Sequence, residues 1–385
     1  MDAALNTIKR QLSTLVAIPT VSSVNPAIDM DNLPLVHELA AWLVDAGFAT
    51  EIQTVDEANG KANLIATLGS GPGGLVLSGH TDTVPYNGEL WTNDPFEMTE
   101  RNERFYGLGT ADMKCFFPIV LAALGRIERR SIRFPLTVYA TADEESSMSG
   151  ARRLLETGTH RGACGLIGEP TGLIPVYKHK GVMMIGIEVT GRSGHSSDPS
   201  LGDNAIDGAM RIALALNAWR ETLARRHCDQ AFKVTVPTLN FGSIHGGDNP
   251  NRICGSCELQ LDLRLLPGMD METMAAELAR ISKDAVAGSG LAVEVSELMP
   301  GVGAFETPRT GPAVTLAEAL TGVGAGTIAF ATEAPFLNQM GVETVILGPG
   351  HVAQAHQPDE YVEVAGILKM IDIVEAFIRN FCCHD

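Results

Sequence analysis

The stretch that decides the fold is residues 75–85, which reads LVLSGHTDTVP. Its first three residues form a short apolar run that follows two glycines. Such a run is typical of a strand that is buried on both faces. The chain becomes polar directly afterwards, at His80 and Asp82. Side chains two positions apart point the same way in extended chain, so His80 and Asp82 can face one cavity.

Three further apolar runs alternate with helical patterns along the chain. The runs lie at 136–140, 164–167 and 344–347. Helices are predicted at 5–16, 33–43, 116–127, 148–156, 312–321 and 362–381. Short buried strands that alternate with helices predict an α/β fold, with a mostly parallel central sheet flanked by helices.

The pattern changes between about residues 180 and 290. Its predicted elements are three strands of alternating polarity and two helices, at 184–190, 235–241, 257–265, 204–225 and 271–287. Alternation with a period of two is typical of antiparallel strands that bury one face. We therefore predict an inserted α+β domain at 180–290, within an α/β domain formed by 1–179 and 291–385.

The composition excludes several classes of protein. The formal net charge is −18 at pH 7, so nucleic acids and anionic membranes are poor partners. Hydrophobic residues make up 45% of the chain, which excludes a mainly disordered protein. No apolar run approaches the roughly 20 residues that a membrane span needs. Seven scattered cysteines and an N-terminus without a secretory signal pattern predict a cytoplasmic location.

Five polar clusters carry residue types that bind metal ions. They lie at 79–85, 107–114, 142–145, 168–171 and 354–361. Most of them follow predicted strands, at the edge where open α/β sheets hold their ligands. Each cluster taken alone has another explanation. A histidine after a strand, such as His80, is often a hydrogen-bonded structural residue, and Asp112 could cap a helix. Glu144 and Glu145 could form a solvated turn, Glu169 and Pro170 could be ordinary loop residues, and His351 competes with His356.

Taken together, the clusters favour a metal centre. They would bring two histidines and several carboxylates to one edge of one sheet, and such a concentration of negative charge is destabilising unless it is compensated. A pair of divalent cations would neutralise it. Mixed imidazole and carboxylate ligands favour zinc, with cobalt or manganese as substitutes.

Four motifs, in order along nearly the whole chain, resemble those of the dinuclear-zinc deacylases and exopeptidases. This family includes glutamate carboxypeptidase, aminoacylase-1 and succinyl-diaminopimelate desuccinylase. The motifs are SGHTDTVP at 78–85, GLGTADMK at 107–114, TADEE at 141–145 and GHSS at 194–197. Further motifs are similar to those of bacterial members that act on N2-acetyl-L-ornithine; they lie at 167–171, 244–248, 251–254, 332–336, 348–350 and 355–361.

The resemblance implies a centre of two Zn²⁺ ions in the α/β domain. Asp112 would bridge the two ions. His80 and Glu169 would complete one site, and Glu145 and His356 would complete the other.

It also implies catalytic roles for three more residues. Glu144 would act as general base beside a metal-bridging hydroxide, and Asp82 would orient His80, as metal-bound histidines usually require. His195 would lie on the inserted domain, which serves in the family as lid and dimerisation domain. In relatives this histidine reaches the partner subunit's active site and stabilises the oxyanion, so we expect a homodimer.

The expected reaction is hydrolysis of N2-acetyl-L-ornithine to L-ornithine and acetate, a step of arginine biosynthesis. The alternative is a related deacylase or exopeptidase that acts on another N-acyl amino acid or on a dipeptide. A binding protein that has lost catalysis, or a purely structural module, is a different class. The intact Glu144 beside a full ligand set argues against the binding protein, and a structural module would leave the converging ligands unexplained.

Substrate contacts are open to alternatives. The α-carboxylate of the substrate needs a cationic or amide partner, for which Asn251 and Arg252 are candidates, with Arg264 behind them. Arg264 is equally well explained as an outward residue of an alternating strand. Glu333 could meet the side-chain ammonium of the substrate or could cap a helix.

Overall fold

The computed structural model of the protein describes residues 2–158 and 162–383. The chain divides into two compact units. Unit 1 comprises residues 1–177, 307–326 and 332–385, and unit 2 comprises residues 178–306 and 327–331. The predicted lid and dimerisation role of residues 180–290, within a catalytic domain of 1–179 and 291–385, stays a prediction.

The described residues form nine α-helices and eighteen strands. The α-helices are α1 (Asp2–Val16), α2 (Leu33–Asp45), α3 (Phe116–Leu124), α4 (Ser149–Thr157), α5 (Ala205–Arg226), α6 (Met271–Ala285), α7 (Pro312–Thr321), α8 (Ala334–Gln339) and α9 (Val364–Cys382). The first nine strands along the chain are β1 (Ala49–Asp56), β2 (Lys61–Leu68), β3 (Leu75–His80), β4 (Thr99–Arg101), β5 (Arg104–Tyr106), β6 (Leu136–Thr141), β7 (Cys164–Ile167), β8 (Val176–His179) and β9 (Gly181–Thr190). The chain continues with β10 (Gly194–His195), β11 (Thr238–Gly246), β12 (Arg252–Ile253), β13 (Ser256–Leu265), β14 (Ala292–Val302), β15 (Phe305–Glu306), β16 (Gly326–Ile328), β17 (Glu343–Ile346) and β18 (Tyr361–Glu363).

The central sheet of unit 1 has the strand order β1-β2-β6-β3-β7-β17. The four strands β6, β3, β7 and β17 are parallel, as the buried apolar runs predicted. β1 and β2 add an antiparallel edge that the sequence analysis did not predict. The α/β fold is confirmed, with a parallel centre in a sheet that is mixed as a whole.

The core of unit 1 explains why the central strands read as apolar runs. Leu77, Leu166 and Val345 lie on three adjacent parallel strands, and each side chain is fully buried. Helices cover the sheet with residues such as Phe116 of α3 and Phe377 of α9. Truncating one such side chain to alanine typically costs about 2–5 kcal/mol, so this core holds the strand ends in place.

Unit 2 contains the antiparallel sheet β11-β13-β9-β14. On β13 the residues Leu259, Leu261, Leu263 and Leu265 are buried, and the polar residues between them are partly exposed. These leucines and residues of α5 and α6 form the core of unit 2. Strand β14 was not predicted, because most of its residues are exposed and its pattern is irregular.

Among the described residues, no helix combines the length and apolar character that crossing a membrane would require.

Candidate metal centre

The five predicted metal ligands lie together in unit 1. His80 is the last residue of β3, and Glu169 comes two residues after β7. Glu145 follows β6, His356 lies in the loop after β17, and Asp112 lies in the loop before α3. Because β3, β6, β7 and β17 are parallel, their carboxyl ends share one edge of the sheet.

Asp112 lies at the middle of this group. Its Oδ1 is 3.1 Å from Nε2 of His80, and its Oδ2 is 3.4 Å from Nε2 of His356. Nε2 of His356 is also 3.0 Å from Oε1 of Glu145, and Nε2 of His80 is 3.9 Å from Oε1 of Glu169. Each carboxylate oxygen of Asp112 therefore faces a different histidine, which suits a carboxylate shared by two cations.

The structural explanation of Asp112 as a helix cap has no support in the structure. The N-cap residue of α3 is Cys115, and its side chain makes no capping hydrogen bond. Asp112 lies three residues earlier, and its carboxylate points to the two imidazoles instead.

The donor set fits divalent cations. Ligand atoms of His80, Asp112 and Glu145 all lie within 4.8 Å of one another. Oε1 of Glu169 is buried and has no hydrogen-bond partner among the described residues, an expensive state for a carboxylate oxygen. Two imidazoles and several carboxylates, without a thiolate, match the preferences of zinc, cobalt and manganese.

Burial and mutual repulsion perturb the acids of the centre. Burial, reinforced by the charge of Glu169, raises the pKa of Glu144 well above its ordinary value. Burial and the charge of Asp112 raise the pKa values of Glu145 and Glu169. Crowded carboxylates with raised pKa values are a common property of functional sites.

For Asp112 and His356, by contrast, hydrogen bonding favours the charged form of each side chain. Burial alone would raise the pKa of Asp112, but hydrogen bonds with His356 and His80 lower it below its ordinary value. Hydrogen bonds to Asp112 and Glu145 raise the pKa of His356 to about 10. Positive charge is thus favoured between these carboxylates, as it would be with a bound cation.

Asp82 contacts both His80 and the loop that follows β6. Nδ1 of His80 is 3.0 Å from the main-chain oxygen of Asp82 and 3.6 Å from its Oδ1. The carboxylate accepts the backbone N–H groups of Glu144, at 3.2 Å, and Glu145, at 3.0 Å. The second set of contacts was not predicted, because it depends on the pairing of β3 with β6.

Glu360 is a site residue that the sequence analysis missed. It is 2% exposed, and its Oε1 accepts the backbone N–H groups of Ala111, at 2.7 Å, and Asp112, at 3.1 Å. Its main-chain oxygen accepts the N–H of Gly107 at 3.0 Å. Burial and the charge of Asp112 raise its pKa to about 8. Glu360 thereby joins the loop of Asp112 to the segment that carries His356. In the sequence, the only indication of this role is that Glu360 is an acidic residue in the last polar cluster.

Glu333 is 1% exposed and lies against β3. Its Oε2 accepts a hydrogen bond from Oγ of Ser78 at 3.2 Å, and its Oε1 has no partner among the described residues. It is the N-cap residue of α8 by position, but its side chain makes no capping hydrogen bond. The predicted contact with a substrate ammonium stays a prediction, and the burial favours a role inside the cluster.

Three other predicted residues lie together in unit 2. His195 of β10 pairs with Arg252 of β12, and the N–H of Ser196 donates to the main-chain oxygen of Asn251 at 3.0 Å. The His195 side chain is exposed, with Nδ1 2.7 Å from Oγ of Ser197. This arrangement offers an imidazole, a guanidinium and an amide on one surface of unit 2.

Arg264 does not belong to that surface. It lies near the far end of β13, eight residues beyond Ser256, and at about 3.3 Å per residue this is a separation of roughly 26 Å. Its Nε and a terminal nitrogen each lie 2.9 Å from the carboxylate of Asp262. These contacts are compatible with the outward-facing alternative, and the predicted substrate contact of Arg264 stays a prediction.

Comparisons with known proteins agree with this architecture. A model of the peptidase family M20/M25/M40 matches residues 76–380. The acetylornithine deacetylase of Erwinia tasmaniensis is 43% identical over 370 residues, which cover 96% of each chain. The acetylornithine deacetylase of Photorhabdus laumondii is 45% identical over 371 residues, which cover 96% of this chain and 95% of its own.

Solved structures show the same fold at lower identity. A tripeptidase from Staphylococcus aureus superposes with a TM-score of 0.76 at 21% identity, covering 98% of both chains. A dinuclear metal-binding peptidase of the M20 family from Bacillus subtilis superposes with a TM-score of 0.66 at 14% identity, covering 98% of this chain and 99% of its own. With a family model that matches most of its length, the chain belongs to the peptidase family M20/M25/M40.

Proposed function

We propose that the chain is a metal-dependent amide hydrolase that converts N2-acetyl-L-ornithine to L-ornithine and acetate, a step of arginine biosynthesis. The observation that carries this proposal is the 43–45% identity to acetylornithine deacetylases over 96% of the chain. The cluster of histidines and carboxylates around Asp112 supports it, because amide hydrolysis at neutral pH needs an activated nucleophile.

We propose that the cluster holds two Zn²⁺ ions, with Co²⁺ or Mn²⁺ as substitutes. His80 and Glu169 would hold one ion, Glu145 and His356 the other, and Asp112 both. When bound, such ions make hydroxide available at neutral pH and polarise the amide carbonyl.

Glu144 is the proposed general base. It is 8% exposed, and its backbone is fixed by the hydrogen bond from its N–H to Asp82. Burial raises its pKa, so the carboxylate is a stronger base than an exposed glutamate and can later return the proton to the leaving amine. General acid–base catalysis of this kind typically contributes about 10²–10⁴-fold.

Unit 2 carries three further residues with proposed roles. His195 would stabilise the oxyanion, and Arg252 and Asn251 would bind the α-carboxylate of the substrate. As in the resemblance noted above, we propose a homodimer formed through the inserted domain, in which His195 serves the partner subunit's centre. A mixture of inactive Glu144→Ala and His195→Ala chains would then regain about a quarter of wild-type activity on subunit exchange. If the mixed dimers regain no activity, His195 does not act in the active site of the partner subunit.

The proposal also includes a cytoplasmic location. All seven cysteines are free thiols, and buried ones such as Cys115 and Cys382 suit a reducing compartment.

Steady-state kinetics on a panel of acyl amino acids test the reaction. We expect ornithine and acetate from N2-acetyl-L-ornithine, with kcat/KM at least about tenfold above that for N-succinyl-diaminopimelate, since discrimination between acyl and side-chain groups is of that order. Glu144→Ala is the negative control. Faster turnover of another N-acyl amino acid or of a dipeptide would show that the chain has the activity of a different member of the family.

A further inference from the structure

Lys61 is a buried cation that the proposed mechanism does not use. It is the first residue of β2 and is 3% exposed. Its Nζ lies 2.8 Å from Oδ1 of Asp29 and 2.8 Å from Oδ1 of Asp143. Burial opposes its charge, but the hydrogen bonds to Asp143 and Asp29 raise its pKa above the ordinary value. A buried ammonium persists only where it is paired, so these contacts fix both Lys61 and its partners.

Asp143 immediately precedes Glu144 and Glu145. Its φ of 55° lies in the left-handed region, where a residue with a side chain is strained and is held by its surroundings. Besides Lys61, two hydroxyl groups hold its carboxylate: Oγ of Ser22 donates to Oδ1 at 2.9 Å, and Oγ of Ser149 donates to Oδ2 at 3.1 Å. Three donors therefore fix the side chain that starts the loop.

The two residues after Asp143 are held from another direction. The carboxylate of Asp82 accepts the N–H groups of Glu144 and Glu145. The loop 143–145 is thus attached at its first residue through Lys61 and at its next two through Asp82. Among the side chains described here that hold this loop, Lys61 alone is positively charged.

We infer that the Lys61–Asp143 ion pair positions the loop 143–145, and that it thereby sets the affinity for the cation held by Glu145 and the rate of proton transfer through Glu144. This inference rests on the proposed function. Lys61 is a positioning residue, since its ammonium contacts Asp29 and Asp143 and neither the substrate nor a proposed metal ligand. Outer partners of this kind typically change metal affinity or activity by about 10–100-fold.

The test compares Lys61→Met with Asp29→Asn in the full-length protein. Lys61→Met removes the positive charge but keeps an unbranched side chain. Asp29→Asn removes the negative charge of the other partner of Lys61 but keeps an acceptor oxygen, and it leaves the bond from Lys61 to Asp143 in place. Co²⁺ binding is followed by visible absorption, and the cation held by Glu145 and His356 is identified as the one lost in His356→Ala. Steady-state kinetics on N2-acetyl-L-ornithine supply kcat and KM separately.

In Lys61→Met we expect about 10–100-fold weaker binding of that one cation and a comparable fall in kcat. Affinity for the other cation and KM should stay within about twofold, because a positioning effect is confined to this loop. Asp29→Asn should keep both affinities within about threefold of wild type. If the Lys61→Met protein is less stable but binds both cations with wild-type affinity and has a wild-type kcat, the inference is overturned.

If Lys61→Met does not fold, Asp143→Asn carries the same expectation, since it keeps the shape of the side chain and loses the ion pair. Wild-type binding of both cations by Asp143→Asn would likewise overturn the inference. Failure of the proposed function is distinguishable, because the wild-type protein itself would then bind fewer than two Co²⁺ ions or release no ornithine.

Discussion

Truncation of Glu360 should loosen the centre without touching a proposed ligand. Oε1 of Glu360 accepts both backbone N–H groups, from Ala111 at 2.7 Å and from Asp112 at 3.1 Å. Glu360→Ala leaves two buried donors without a partner, and each unpaired donor costs about 1–3 kcal/mol. The sum is about 2–6 kcal/mol, which for a domain of this size lowers Tm by on the order of 10 °C.

Glu360→Gln is the matched control. Its side-chain oxygen can take the place of Oε1 and accept both bonds, while the ability of the side chain to ionise is lost. We expect a free energy of unfolding within about 2 kcal/mol of wild type, because both donors stay paired. Comparison of the two variants therefore separates the effect of the hydrogen bonds from the effect of the ionisable carboxyl group.

Thermal unfolding of the metal-free proteins measures the stability change, and Co²⁺ titration measures the change at the centre. In Glu360→Ala the affinity should fall by about 10–100-fold, because Asp112 and His356 lie on the two segments that Glu360 joins. A Tm within about 2 °C of wild type, with unchanged Co²⁺ affinity, would refute the reasoning.

Three further variants probe other parts of the account. Glu144→Gln should keep both cations by metal analysis and lose about 10²–10⁴-fold in kcat; near-wild-type turnover would contradict the base assignment. Glu333→Gln should lower kcat/KM equally on N2-acetyl-ornithine and N-acetyl-norvaline, because the carboxylate is 1% exposed; a loss confined to the charged substrate would instead support an ammonium contact. Lys178→Met breaks the bond to Asp229 and the ion pair to Glu306, both at 2.9 Å, and should cost unit 2 about 1–2 kcal/mol in urea unfolding at pH 7. The bond lowers the pKa of Asp229, so the cost is present above the ordinary value of 3.8 and vanishes as the pH falls through the folded value; a pH-independent cost would contradict this.

The sequence predicted the parts of the fold that have a strong local pattern. The strand at Cys164–Ile167 and the helix at Pro312–Thr321 have the bounds that their apolar patterns indicate. β1 and β14 were missed, because both are largely exposed edge strands without a clean period. The prediction that His80 and Asp82 face one cavity agrees only in part with the structure. The main-chain oxygen of Asp82 contacts His80, whereas its carboxylate accepts the backbone N–H of Glu144.

The supporting contacts of the centre had no local signal. Lys61 and Asp143 are 82 positions apart, and their contact depends on how β2 pairs with β6. The bond from Asp112 to Glu360 joins residues 248 positions apart. Motifs identify residue types that bind metals or move protons, whereas tertiary pairing decides which backbone groups hold them in position.

The most direct test of the central claim is ornithine release by metal-stripped protein during stepwise addition of Zn²⁺ or Co²⁺. We predict no turnover of N2-acetyl-L-ornithine without metal, and a rise that saturates at two ions per chain and is abolished in Asp112→Ala, the variant that lacks the carboxylate between the two histidines. Undiminished turnover after removal of metal, or two tightly bound ions with no ornithine released, would contradict the account.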